Sequence, residues 1–329
     1  MNIGIIGCGL IGKKRALNIS SEDKIFAVCD INSVSAKELG SLYNCKSLNN
    51  WKELIADKSV DIVVVSTTHN LLAEISLAAI KNGKHVLVEK PAARNADELQ
   101  KVLKIYNKTK KIIVKVGFNH RFHPAMQKAK AMISSGDIGK LMFIRGRYGH
   151  GGRVGYDKEW RAVPQISGGG ELLDQGMHLI DLSRWYMGDF SKSTGITKTY
   201  FWNMKVEDNA FMLLTTKNRQ VAQLHVSWTE WKNTFSLEIY GKTGKIAIDG
   251  LGKSYGTEKL TYYKMSEKMG PPDTKVFEFP GEDNSWKEEW LDFKKAIKTG
   301  KEPCGNLEDA CKALQIVKAI YKENRNDYR

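Results

Sequence analysis

No stretch of this chain approaches the roughly 18 uninterrupted apolar residues that a bilayer-spanning helix needs, so such a helix is excluded. Cysteine is scarce and unpatterned: Cys8, Cys29, Cys45, Cys304 and Cys311 make an odd number, with no C-x-x-C pair. That excludes a disulfide framework and a thiolate zinc site, and it fits small core residues in a reducing compartment. The apolar N-terminus lacks a basic leader and a small-residue cleavage site, and glycines interrupt it early. A cytoplasmic location is therefore expected. Internal repeats, low-complexity tracts and basic blocks with interleaved aromatics are also missing. Despite a net charge of +14, no nucleic-acid partner and no membrane partner are expected. Lys101, Lys104, Lys108, Lys110 and Lys111 recur along one helical region and its exit, as on a solvated surface.

What is present is enough chain, 329 residues, for two domains, with a hydrophobic fraction of 42% and a charged fraction of 27%, ordinary for a globular protein. The most informative stretch is Met1 to Gly12, where an apolar run breaks into Gly7-Cys8-Gly9-Leu10-Ile11-Gly12. Residues 3–6 read as a buried strand and 11–19 as a helix. Asp30 ends the next apolar run, about twenty residues on, as a dinucleotide fingerprint requires. Gly7 allows the strand-to-helix turn, Gly9 lets backbone approach a pyrophosphate, and Gly12 lets the helix pack closely. Leu10 and Ile11 then carry the N–H groups that open the helix toward phosphate. Asp30 suits both ribose hydroxyls and repels a 2′-phosphate. No Arg or Lys lies in residues 31–36, so NAD is favoured over NADP.

Up to residue 120, short apolar runs (3–6, 25–29, 62–65, 85–88, 112–116) alternate with helical patterns (11–19, 33–39, 71–81, 96–106). This predicts a parallel Rossmann sheet covered on both faces, in a domain spanning 1–120. From 121 to 329 the pattern changes. A helix (124–134) and a long alternating strand (140–148) precede a glycine-rich stretch and a helix near 170–186. Strands at 194–202, 209–216, 220–228, 234–240 and 245–249 follow with only short turns. Two helices, 286–298 and 307–322, close the chain. The expected fold is α/β: a Rossmann domain, then an α/β domain on an open, largely antiparallel sheet, whose C-terminal helix can pack back on the first domain. Residues 264–274 read as a mobile loop. One face of the second sheet carries aromatics that need covering, so a homodimer or homotetramer through that sheet is expected.

Two further motifs stand out. Lys84 to Pro91 (KHVLVEKP) is a strand ending in Glu89-Lys90-Pro91. Gly168 to Leu182 (GGGELLDQGMHLIDL) is a glycine loop running into a helix. With GCGLIG these resemble the glucose–fructose oxidoreductase / inositol dehydrogenase / MocA family over nearly the whole chain. The resemblance implies a hydride-transferring enzyme acting on a sugar, polyol or nucleotide-linked sugar, with Lys90 and His178 catalytic and Asp174 supporting. The residues also make sense independently. Asp174 and His178 are four apart, so a continuous helix puts them on one face. An imidazole can take an alcohol proton near neutrality, and Lys90 can hydrogen-bond the substrate oxygen. No third ligand beside Asp174 and His178 suggests a metal.

Supporting candidates follow from the same resemblance. Glu89, Lys90, Thr67 and Asn119 are expected at the cofactor, and Arg121 at the substrate or cofactor. Tyr156, Trp160 and Arg161 lie in a glycine-rich loop that can fold over the site, where an Arg suits phosphate or carboxylate. Exposed loop charge is the alternative for Arg161; surface placement is the alternative for His120 and His123, and for Lys13, Lys14 and Arg15. Where many relatives carry Thr-Pro-Asn, this chain has Ser66-Thr67-Thr68-His69-Asn70, which leaves the role of His69 open. The basic charge favours an anionic carbohydrate substrate. Two other functions use the same scaffold: NAD-dependent glycoside cleavage through transient oxidation, and non-catalytic NAD sensing.

Overall fold

The computed structural model describes residues 1–109 and 111–324. Lys110 and residues 325–329, the end of the expected second domain, lie outside the described residues. The chain divides into two compact units. The first comprises Met1–Asn119, Gln165–Gly168 and Trp286–Cys311; the second comprises His120–Pro164, Gly169–Ser285 and the chain from Lys312 on.

The first unit alternates strands and helices: β1 (Asn2–Ile6), α1 (Leu10–Leu17), β2 (Lys24–Cys29), α2 (Ser33–Leu42), β3 (Lys46–Leu48), α3 (Trp51–Ala56), β4 (Ile62–Val65), α4 (His69–Lys81), β5 (His85–Glu89), α5 (Ala96–Tyr106) and β6 (Val114–Gly117). All six strands are parallel in the order β3-β2-β1-β4-β5-β6, the doubly wound arrangement whose strand order reverses between β1 and β4. Ile62, Val63, Val64 and Val65 are all fully buried, because helices cover both faces of a parallel sheet. Neither β3 nor α3 is visible in the apolar pattern. β3 is a three-residue, largely exposed edge strand, and α3 is a short helix started by Asn50, whose side chain accepts the Lys52 N–H. The last strand begins at Val114 rather than residue 112, where pairing with Val86 starts.

The second unit contains α6 (Pro124–Ser135), β7 (Leu141–Gly149), the one-turn α7 (Pro164–Ser167, shared with the first unit), α8 (Glu171–Asp174) and α9 (Gly176–Met187). Then come β8 (Phe190–Lys198), β9 (Asn209–Thr216), β10 (Val221–Ser227), β11 (Thr234–Gly241), β12 (Gly244–Asp249), β13 (Glu258–Lys264) and β14 (Asp273–Phe279). They form an eight-stranded sheet, β14-β13-β12-β11-β7-β10-β9-β8, antiparallel except where β7 and β10 run parallel. Helix α9 packs on β7 and β10, and α6 on β12 to β14.

Several boundaries differ from the sequence expectation. The strand predicted to reach residue 202 ends at Lys198, because the buried Asp208 carboxylate accepts the N–H groups of Tyr200, Phe201 and Trp202 at 2.9, 2.8 and 3.0 Å. The supposed loop 264–274 is shorter, since β14 already begins at Asp273 and pairs with Lys264. The predicted helix near 170–186 is two segments, with Gln175 between them.

Helices α10 (Ser285–Thr299) and α11 (Leu307–Asn324) complete the chain. Trp290, Phe293 and Ala296 of α10 share one core with Ile3, Ile5, Val28 and Ile62, so the first unit is discontinuous in sequence. Among the described residues, no helix is long and apolar enough to cross a membrane.

Candidate active site

In the first unit, adjacent strands β2, β1, β4 and β5 present Asp30, the glycine turn, Thr67 and Lys90 just beyond their carboxyl ends. Gly7 has a left-handed φ of +97°, and a Cβ there would meet the Ser66 carbonyl oxygen at 2.4 Å. Ser66 Oγ in turn donates to the Gly7 carbonyl at 2.8 Å, locking the β1 and β4 ends together. Asp30 accepts the Cys8 N–H at 2.7 Å on one oxygen and the Asn32 N–H at 2.9 Å on the other, bracing the turn against the start of α2. Cys8 and Cys29 are buried, and burial pushes the Cys8 thiol up to about 12.

The fit to a dinucleotide rests on the entrance to α1. No side chain caps this helix, and a Cβ at Gly9 would meet nothing within 4 Å. The first-turn N–H groups thus open onto unfilled space, as a pyrophosphate requires. Leu10 and Ile31 are 74% and 87% exposed, apolar surface on either side of the turn and Asp30. Thr67 is half-buried, its hydroxyl donating to the Thr68 carbonyl at 3.2 Å.

Glu89 and Lys90 part company. Lys90 is half-buried at the end of β5, and its bond to Pro91 is cis. Glu89, expected at the cofactor, instead accepts from Arg15 Nε at 2.6 Å, in a setting where both side chains are nearly sealed from water. Arg15 also donates through Nη1 to the fully buried Glu289 of α10, and the Trp286 ring lies 4.4 Å from the guanidinium. Burial pushes the Glu289 carboxyl up despite the opposing pull of Arg15. Arg15 is thus neither solvated nor turned to ligand: it joins α1, β5 and α10. Gly12, Arg15 and Ala16 form the buried stripe of α1, a spacing that could have revealed it. Glu289, 274 residues away, left no such signal.

In the second unit, Asp174 ends α8 and His178 lies in the first turn of α9. The helix predicted to align them is interrupted at Gln175, although the backbone there remains right-handed (φ −85°, ψ −28°). Asp174 accepts from Arg161 Nε at 2.9 Å, so the loop arginine reaches the motif carboxylate, and its guanidinium also lies 4.6 Å from the Trp160 ring. His178 is buried and lies flat on His120, ring centroids 3.6 Å apart and planes 14° from parallel. His120 Nε2 is 3.1 Å from the Tyr148 hydroxyl. Burial first, and then the neighbouring Tyr255, Glu171 and Asp174, hold Tyr148 well above the usual tyrosine range, so it stays a neutral hydroxyl.

The segment that carries these residues is itself built. Glu207, buried beneath the glycine loop, accepts the N–H groups of Gly170 and Leu172, each at 3.1 Å, and the Tyr321 hydroxyl at 2.6 Å. A Cβ on Gly169 would meet the Tyr321 hydroxyl at 2.1 Å, and one on Gly170 the Glu207 carbonyl at 2.0 Å. Close approach, not loop flexibility, accounts for this part of the GGG sequence.

Two residues expected at the substrate lie buried. Arg121 is spent on Asp181, donating from Nε at 2.8 Å and Nη2 at 2.6 Å inside the core. Tyr156 is only 2% exposed, in an apolar cluster with Val206 and Trp228. His69, whose role the sequence left open, has its Nδ1 2.8 Å from the Ser167 carbonyl, so it ties the 165–168 segment to the rest of the first unit. His120 and His123 are buried rather than superficial, His123 Nδ1 lying 2.9 Å from Glu258. Asn119 is buried, and Trp160 half-buried. Among the described residues, no group of three or more His, Cys, Asp or Glu is placed to hold a metal ion.

Residues 1–118 match an oxidoreductase family with an NAD-binding Rossmann fold, and residues 126–247 match the GFO/IDH/MocA C-terminal domain. The chain belongs to this family, and NAD is the cofactor of its Rossmann domain. Similar proteins include levoglucosan dehydrogenase from Pseudarthrobacter phenanthrenivorans, 32% identical over 61% of this chain and 54% of that protein. Another is inositol 2-dehydrogenase from Salmonella paratyphi B, 30% identical over 61% of this chain and 58% of that protein. The matches thus span little more than half the length of these relatives. A levoglucosan dehydrogenase solved in complex with NADH has the same fold, with a TM-score of 0.88 at 24% identity over 98% of both chains.

Proposed function

We propose that this protein is an NAD-dependent oxidoreductase acting on a CH–OH carbon of a carbohydrate or polyol. The observation that carries the reading is the buried His178 imidazole, four residues after a carboxylate paired with Arg161, in a chain whose first 118 residues match an NAD-binding Rossmann family. When bound, NAD supplies the hydride acceptor. His178 takes the proton from the substrate hydroxyl, and Asp174 favours the charged imidazole that results. Lys90, just beyond the end of β5, hydrogen-bonds a substrate oxygen and favours alkoxide character as the carbon–hydrogen bond breaks. Substrates named for the relatives, inositol and levoglucosan, are the first to try, together with phosphorylated and nucleotide-linked sugars.

The test is steady-state turnover of that panel by wild type, Lys90→Met and His178→Ala. NAD binding is followed in parallel by tryptophan fluorescence. The expected result is a loss of roughly 10²–10⁴-fold in kcat, with NAD affinity kept. Normal turnover by both variants would overturn the reading. A free aglycone without NADH accumulation would move it to glycoside cleavage.

The outward face of the eight-stranded sheet supports a second proposal, that another copy of the chain covers it. Ile196, Phe211 and Leu213 are 52%, 41% and 46% exposed there, around a shallow hollow of about 670 Å³. Light scattering should give a dimer or tetramer that Phe211→Glu dissociates; a monomeric wild type would refute it.

A further inference from the structure

We propose that His120 is a positioning residue for His178: it provides the flat surface on which that imidazole is held, and it keeps the stacked pair from taking up a second proton. The inference rests on the proposed role of His178. Its basis is a closed circuit of contacts within the second unit. The His178 ring lies on the His120 ring at 3.6 Å between centroids, and His120 Nε2 meets the Tyr148 hydroxyl at 3.1 Å. The Tyr148 ring packs edge-on against the Tyr255 ring, centroids 5.0 Å apart, and Gln175 Nε2 donates to the Tyr255 hydroxyl at 2.9 Å. The Gln175 carbonyl then accepts the His178 N–H at 3.0 Å, which returns the circuit to its start. Four separate pieces of chain, namely the 3-10 turn Asn119–Phe122, β7, the β12–β13 connection and the α8–α9 junction, converge to hold one imidazole.

The His120 ring has little freedom to turn. Phe235 packs edge-on at 6.4 Å, and His123, itself held by Glu258, packs edge-on at 5.6 Å. A ring fixed in this way fixes the plane of the one stacked upon it. Misplacing a reacting group by about 1 Å can cost 10²-fold in rate.

The charge argument follows from the same geometry. Two imidazolium rings in face-to-face contact repel, so the first proton opposes the second. Charged or titratable groups near the pair include Tyr148 of β7, with Tyr255 and the α8 residues Glu171 and Asp174 acting on it, and Arg121 and His123 beside His120. Arg121, His123 and Asp174 are engaged with Asp181, Glu258 and Arg161 respectively, while the His120 imidazole lies directly on the face of His178.

The test needs no known substrate. The chain has 7 histidines, and ¹³C-labelled imidazole signals can be assigned one by one with His→Ala variants. In the full chain, His120→Phe keeps a flat ring but removes the charge, and it should raise the titration midpoint of His178 by about half a pH unit or more. Tyr148→Phe should give a smaller shift. With any substrate the wild type turns over, His120→Ala should lower kcat about 10- to 100-fold at unchanged KM for NAD, and His120→Phe should recover most of it at high pH. An unmoved His178 midpoint in His120→Phe overturns the inference, including the case in which His120→Ala fails to fold. If His178→Ala is inactive while the His120 variants behave as wild type, only this inference falls. If His178→Ala keeps full turnover, the proposed function falls, and this inference with it.

Discussion

Arg121 and Asp181 form a two-pronged ion pair sealed from water, with side chains 4% and 1% exposed and both carboxylate oxygens engaged. The pair fastens the turn that carries His120 to α9, the helix that carries His178. Removing one partner strands the other charge in the core. Arg121→Ala should therefore cost about 3–5 kcal/mol in urea unfolding. Arg121→Met with Asp181→Leu should recover much of that loss. A stable Arg121→Ala protein with a raised KM for substrate would restore the substrate-binding role read from the sequence.

Glu207 makes stability depend on pH in a definite direction. Burial lifts its carboxyl from 4.5 to about 6, against the hydrogen bonds from Tyr321, Leu172 and Gly170. The folded state then binds this proton more tightly than the unfolded chain does. Its contribution is fully present below the unfolded value and is lost as pH rises through about 6. Urea midpoints should fall across that window by the equivalent of roughly 2 kcal/mol, and Glu207→Gln should flatten the fall. Equal pH slopes in the two proteins would contradict this account.

Gly9 and Gly12 should separate ligand binding from folding. A Cβ at Gly12 would lie 1.9 Å from the Gly7 carbonyl oxygen, whereas one at Gly9 meets only open space. Gly12→Ala should lower stability by about 1–3 kcal/mol and abolish NAD binding. Gly9→Ala should melt like wild type yet bind NAD about tenfold or more weakly, since the added methyl occupies the space for the pyrophosphate. Thermal melts with and without NAD report both quantities, and an unchanged NAD affinity in Gly9→Ala would argue against a dinucleotide at this turn.

Legibility in the sequence followed the range of the interactions. The long apolar strands β1, β2, β4 and β5 could be located from composition alone, because burial on both faces removes polar residues. β3 and α3 were not legible, being short and edge-placed, and β13 and β14 lay beyond the run of regularly spaced strands. The split between α8 and α9 was hidden because four-residue spacing reads as one helix whether or not Gln175 interrupts it. Tyr148 shares the inward face of β7 with the buried Ile144, so alternation could place its ring inside; nothing local could name His120 as its partner.

By itself the sequence determined the two fold types, the glycine turn with Asp30, and the family to which the Glu89-Lys90-Pro91 and Asp174–His178 motifs belong. These rest on periodicity and short-range geometry, which are written into consecutive residues. Only the tertiary structure decided that Arg15 holds Glu89 and Glu289, that Arg121 is spent on Asp181, and that His178 lies on His120. Each depends on a partner brought in from distant chain. The energy of a buried charge or a stacked ring is set by what packs against it, and no local pattern carries that information.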